Sequence, residues 1–81
     1  MDKCQKLLQK ARRSPKNLRF DELGSLAKCY GWVFKRQNGA HQIYENVQLT
    51  PEDGRLMNFQ SDQGKAKPYQ VNQLLNAIEN L

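Results

Sequence analysis

The dipeptide Asn38-Gly39 constrains this 81-residue chain more than any other feature, because it separates two segments of strand character and leaves few ways to join them. Trp32-Val33-Phe34-Lys35-Arg36-Gln37 precedes it and His41-Gln42-Ile43-Tyr44-Glu45 follows it. Both segments are rich in aromatic and β-branched residues, and Asn-Gly is a preferred two-residue hairpin turn. In that register Arg36 faces His41, Phe34 faces Ile43 and Trp32 faces Glu45, so Trp32, Phe34 and Ile43 share one face, expected to be the buried one. A three-residue loop with a bulge slips the register by one and sets His41 beside Lys35 instead. The sequence leaves both registers open.

Around the hairpin the periodicity turns helical. Cys4, Leu7, Leu8 and Ala11 recur at helical spacing behind a capping Asp2, and Ser14-Pro15 ends the segment. Phe20, Leu23, Ala27 and Tyr30 form the stripe of a second helix, with Leu26 beside it and Gly31 placed to end it in a left-handed conformation. Gly24 in its middle weakens that helix by about 1 kcal/mol relative to alanine, which marks a close approach by a neighbour. Leu56-Met57-Asn58-Phe59-Gln60 alternates as a third strand, Ser61 to Lys67 reads as a polar loop, and Pro68 opens a last helix with the stripe Val71, Leu74, Leu75, Ile78 and Leu81. The expected architecture is a single α+β domain: helix, helix, three antiparallel strands, helix, with the helices over one face of the sheet.

Charge narrows the partners. Thirteen Lys and Arg against eight Asp and Glu give a net charge of +5, suited to a polyanion. The imbalance is confined to the first half, where residues 1 to 36 carry ten basic and three acidic side chains. Cys4 and Cys29 show no metal-ligand or CxxC spacing and are expected as reduced packing residues. No apolar run is long enough to cross a bilayer, so a cytoplasmic protein without membrane contact is expected.

The chemistry converges on the single histidine. RNA strand cleavage needs a base for the 2′-hydroxyl proton, cations to offset charge on the phosphate, and an acid for the leaving oxygen. Imidazole alone among side chains exchanges protons near neutrality at its ordinary pKa, and neither a metal nor a cofactor is required for that work. His41 is therefore the catalytic candidate, set against the plainer reading of a solvated polar residue beside a turn. A zinc site or a Ser-His-Asp triad lacks its remaining members. Lys65 and Lys67, ahead of the last helix, are candidates for a phosphate contact, with two solvated loop lysines as the alternative. Trp32 is assigned to the core, whereas Tyr44 is open for stacking on a base.

Three stretches carry a resemblance. Leu18-Arg19-Phe20-Asp21-Glu22-Leu23, then Tyr30-Gly31-Trp32-Val33-Phe34-Lys35-Arg36-Gln37-Asn38-Gly39-Ala40-His41-Gln42-Ile43-Tyr44, and Gly64-Lys65-Ala66-Lys67-Pro68-Tyr69-Gln70-Val71-Asn72-Gln73-Leu74-Leu75 resemble the HicA toxins of bacterial toxin-antitoxin systems. The resemblance implies a double-stranded-RNA-binding-domain-like α-β-β-β-α core over residues 18 to 81, with residues 1 to 17 as a basic N-terminal helix extension. It also implies a metal-independent mRNA endonuclease, neutralised by a HicB-type antitoxin, with any DNA contact made only through the antitoxin complex. His41 is then general acid or base, Gly39 forms the turn that admits RNA to the backbone, and Lys35 and Arg36 meet phosphates. Lys67 and Gln70 match a recurrent segment before the last helix. The family's histidine follows a Gly-Ser pair, and here Ala40 replaces the serine, which puts full activity in question.

Overall fold

Asp2 has an extended backbone and accepts a hydrogen bond from the Gln5 N–H at 2.8 Å, capping helix α1, Lys3–Arg13. A computed structural model describes residues 2–81 of the chain. After a 3₁₀ turn at Pro15–Asn17 come helix α2, Phe20–Cys29, strands β1, Val33–Asn38, and β2, His41–Glu45, a second 3₁₀ turn at Pro51–Asp53, strands β3, Leu56–Asp62, and β4, Lys65–Ala66, and helix α3, Pro68–Glu79. The strands form one antiparallel sheet in the order β1-β2-β3-β4. Among the described residues the fold is thus α+β with three helices and four strands. The stretch expected as a polar loop holds β4, a strand of two residues beyond a tight turn at Gln63-Gly64, where both residues take positive φ. Backbone bonds from Phe20 to Gly64 and from Ala66 to Leu18 tie the entry of α2 to β4.

The helices pack on one side of the sheet. Glu22, in the first turn of α2, accepts from the Lys10 ammonium with both oxygens at 2.9 Å and from the Arg19 N–H at 3.0 Å. Burial pushes its pKa up, but these bonds outweigh burial and hold the carboxyl below its ordinary 4.5. At the opposite ends of the two helices Cys4 and Cys29 are joined in a disulfide, their Cα atoms 5.7 Å apart, so α1 and α2 run antiparallel. The expectation of two reduced cysteines is overturned. Lying 25 residues apart on separate helices, they have no local spacing that reveals the pairing.

Leu7 and Ala11 of α1, Leu23, Leu26 and Ala27 of α2, Trp32, Tyr44, Phe59, and Val71 and Leu74 of α3 belong to one buried cluster. Leu7 and Ala11 thus bring α1 into the same core as the other helices. Trp32 is buried as expected and its indole N–H donates to the Gly54 carbonyl at 3.0 Å. Leu81, expected on the buried stripe of α3, is exposed just past the helix end.

The hairpin departs from both expected registers. Asn38 pairs with His41, Gln37 with Gln42 and Arg36 with Ile43, after which a bulge at Lys35 lets Phe34 pair with Tyr44 and Val33 with Glu45. Its turn is Gly39-Ala40. Gly39 alone supplies the positive φ, 64°, so Asn38 is released to the ladder. The bulge reverses the facing of Phe34 relative to Arg36. Phe34 and Tyr44 consequently meet edge to face on the helix side, ring centroids 5.6 Å apart, and Ile43 turns to the opposite face. Tyr44, expected to be open for stacking, is 3% exposed.

Candidate functional site

Two grids of side chains follow from the register, because cross-strand partners share a face. The inner grid, under the helices, has the rows Phe34–Tyr44–Met57 and Gln37–Gln42–Phe59. The outer grid has Val33–Glu45–Leu56, Arg36–Ile43–Asn58 and Asn38–His41–Gln60. His41 therefore stands on the outer face, half-buried, at the turn end of the sheet.

Its nearest partner comes from β3. His41 Nδ1 lies 2.9 Å from Asn58 Oδ1. A carbonyl oxygen only accepts, so a proton on Nδ1 completes this bond, and in that tautomer the lone pair is on Nε2. Asn58 was not singled out from the sequence, although the alternation Leu56, Asn58, Gln60 against Met57, Phe59 places it on the outer face.

The candidate cations are arranged unevenly. Arg36 lies diagonal to His41, roughly 7–8 Å away at the strand level, a span that a guanidinium side chain covers. Lys35, at the bulge, has its ammonium 3.8 Å from Glu45, whose other oxygen takes the Arg55 guanidinium at 2.9 Å. Lys67 donates to Gln60 Oε1 at 2.8 Å, and Gln60 is the cross-strand partner of His41. Lys65 is exposed on β4 opposite Asp62 and is not part of this group. The structure thus links His41 to Asn58 and Lys67 to Gln60, sets Gln60 across from His41 and Arg36 diagonal to it, and leaves Lys65 apart. Gly39 is exposed, with nothing within 4 Å of where a Cβ would stand, so the turn backbone is open to solvent. Ala40 accepts from the Ser61 N–H through its carbonyl at 3.3 Å.

Gln70 packs. Buried at the start of α3, it accepts from the Gln60 N–H at 2.9 Å and donates to the Asn58 carbonyl at 3.1 Å, closing the open edge of β3 next to both site residues. An open groove of about 610 Å³ runs between β3 and α3, with His41, Asn58, Gln60, Tyr69 and Gln73 among its lining residues. Its remote end carries Glu52 and Asp53, and no lysine or arginine lines it. Lys67 meets the groove only through its bond to Gln60. Among the described residues no three His, Cys, Asp or Glu side chains group as metal ligands, and no helix is long and apolar enough to cross a membrane.

Comparison with protein-family models, with curated proteins and with solved structures found no match to this chain.

Proposed function

We propose that this protein is a ribonuclease of the HicA kind, on a double-stranded-RNA-binding-domain-like core, that cleaves mRNA with His41 as the proton-transfer group. The observation that carries the reading is the His41–Asn58 bond. It presents Nε2 as a base beside an accessible turn, with Lys67 and Arg36 near enough to offset phosphate charge. Nε2 takes the 2′-hydroxyl proton, the 2′-oxygen attacks phosphorus, and the 5′-oxygen leaves with a proton returned by the imidazolium or by water. The products are a 2′,3′-cyclic phosphate and a 5′-hydroxyl. No metal or cofactor takes part in this scheme.

A HicB-type antitoxin is the proposed restraint, seated on the outer grid. Val33 and Leu56, 60% and 62% exposed, flank Glu45 there and offer apolar surface to a protein partner.

The test uses an RNA transcript in chelator with wild type, His41→Ala and Asn58→Ala, and maps the ends. Wild type should leave cyclic-phosphate ends and His41→Ala none. Asn58→Ala should cleave more slowly, since the ring is no longer held in one tautomer. Cleavage by His41→Ala equal to wild type overturns the assignment. A non-catalytic RNA-binding module is the second reading, favoured by Ala40 in place of the family serine. Salt-dependent binding with no new ends from wild type selects it.

A further inference from the structure

The site on the sheet leaves the most basic part of the molecule unused. Residues 1 to 17 carry six basic side chains and one acidic, a balance of +5 that equals the net charge of the whole chain. Residues 18 to 81 are therefore neutral overall. This charge lies on the helical side, since α1 packs on α2 and α2 covers the inner grid, whereas His41 faces outward from the sheet.

Within that region an open groove of about 500 Å³ is lined by Lys6, Gln9, Lys10, Arg13, Ser14 and Asn17. Lys6, Lys10 and Arg13 fall at i, i+4 and i+7, so α1 sets them in one row along the groove. Lys10 is engaged by Glu22. Lys6 and Arg13 have no carboxylate within ion-pair distance among the described residues, and no acidic side chain lines the groove.

We propose that this groove binds the phosphodiester backbone of a nucleic acid, at a site separate from His41. Two unpaired cations in line with amide and hydroxyl groups match the alternation of phosphate and sugar along a strand. An acidic protein is the other polyanion to weigh, and a protein interface buries apolar surface at its centre. The large exposed hydrophobic residues Val33, Phe34, Val47, Leu56, Tyr69 and Leu81 all lie outside α1 and its following turn. The surface has charge and hydrogen-bonding capacity without an apolar anchor, which suits a nucleic-acid backbone. The inference does not depend on cleavage.

The test measures binding of a fluorescent 2′-O-methyl oligouridine, which lacks the free 2′-hydroxyl needed for cleavage, across a salt series. For a single strand each phosphate contact adds about 0.7 to the slope of log K against log salt. Lys6→Gln with Arg13→Gln should lower the slope by about 1.4 and weaken binding about tenfold at low salt. Lys3→Gln with Arg12→Gln removes the same charge from α1 outside the groove and should retain most of the affinity. Circular dichroism checks that both variants fold. Equal losses in the two variants would reduce the site to diffuse charge and overturn it. An unchanged slope in the groove variant overturns it too. Polyglutamate competing as strongly as the oligonucleotide transfers the groove to acidic proteins and also overturns the proposal. Loss of cleavage in His41→Ala with binding intact bears only on the sheet site.

Discussion

Strand β2 shows two faces of one sheet held to different standards. Inward, Tyr44 packs edge to face on Phe34 and lies 5.5 Å from the Phe59 ring, and its hydroxyl donates to Gln42 at 2.9 Å. Burial pushes the Tyr44 pKa above its ordinary 10.0, so that hydroxyl stays protonated as the donor. Outward, His41 and Ile43 are half-buried between strands whose apolar members, Val33 and Leu56, stay mostly in water. The hydrophobic driving force is spent on the inner face, where burying one large side chain contributes roughly 1.5–3 kcal/mol. Outer residues contribute little to folding, so a fixed geometry there, such as the His41–Asn58 bond, needs a cause other than packing.

The largest break of this comparison is Phe59→Ala. Phe59 is 1% exposed on the inner grid, and its truncation should cost about 3–5 kcal/mol, much of the stability of a domain this size. Urea denaturation measures it. A cost below about 1 kcal/mol would mean that the inner face is not the core.

Next comes the cover over that face. The Cys4–Cys29 disulfide closes a loop of 25 residues' separation, for which chain-entropy arguments give roughly 3 kcal/mol. Reduction, or Cys4→Ser with Cys29→Ser, should lower the melting temperature by more than about 10 °C. Faster amide exchange should appear first in α1, whose Leu7 and Ala11 are its buried anchors. Unchanged melting under reductant would show that α1 is held by packing and the Lys10–Glu22 pair alone.

Much of this layout was legible in the residues. The three helices follow from their stripes, the Asp2 cap, Gly31 and Pro68, all of which act locally. The close approach at Gly24 was also legible, because glycine in a helix needs a neighbour to justify it. The register was not. It depends on which of two adjacent turns Gly39 serves and on a bulge at Lys35, and it is tied to the packing of Tyr44 against Gly24 of α2 and of Phe34 against Tyr44, contacts no local pattern reveals. His41 could be singled out as the one titrating side chain suited to neutral pH. Its partner Asn58 emerges only when β2 and β3 are aligned.

A sharper probe of the inner contact is Gly24→Ala. An added Cβ would stand 2.6 Å from the Tyr44 hydroxyl oxygen and 3.5 Å from the carbon bearing it. The hydroxyl must move, losing its bond to Gln42, and overpacking costs about 1–3 kcal/mol against the roughly 1 kcal/mol that alanine gains in helix propensity. The net effect should be a loss of about 1 kcal/mol. In a Tyr44→Phe background the nearest atom is at ordinary contact distance, and Gly24→Ala should become neutral or stabilising. A double-mutant cycle over these two positions reads the coupling directly. Additive effects would mean that Tyr44 does not sit against α2.

The smallest effect should come from the outer face, with Leu56→Ser. Leu56 keeps most of its surface in water, so the change should stay within about 0.5 kcal/mol, as surface substitutions usually do. A loss above about 2 kcal/mol would be that of a core position, and the two faces would no longer differ in kind. Repeating the melt across protein concentrations then separates the causes. A concentration-dependent loss means that copies of the chain cover one another through this face, whereas a concentration-independent one means that Leu56 is buried within its own chain. With stability unchanged, any effect of Leu56→Ser on a protein partner is assigned to docking on the outer grid alone.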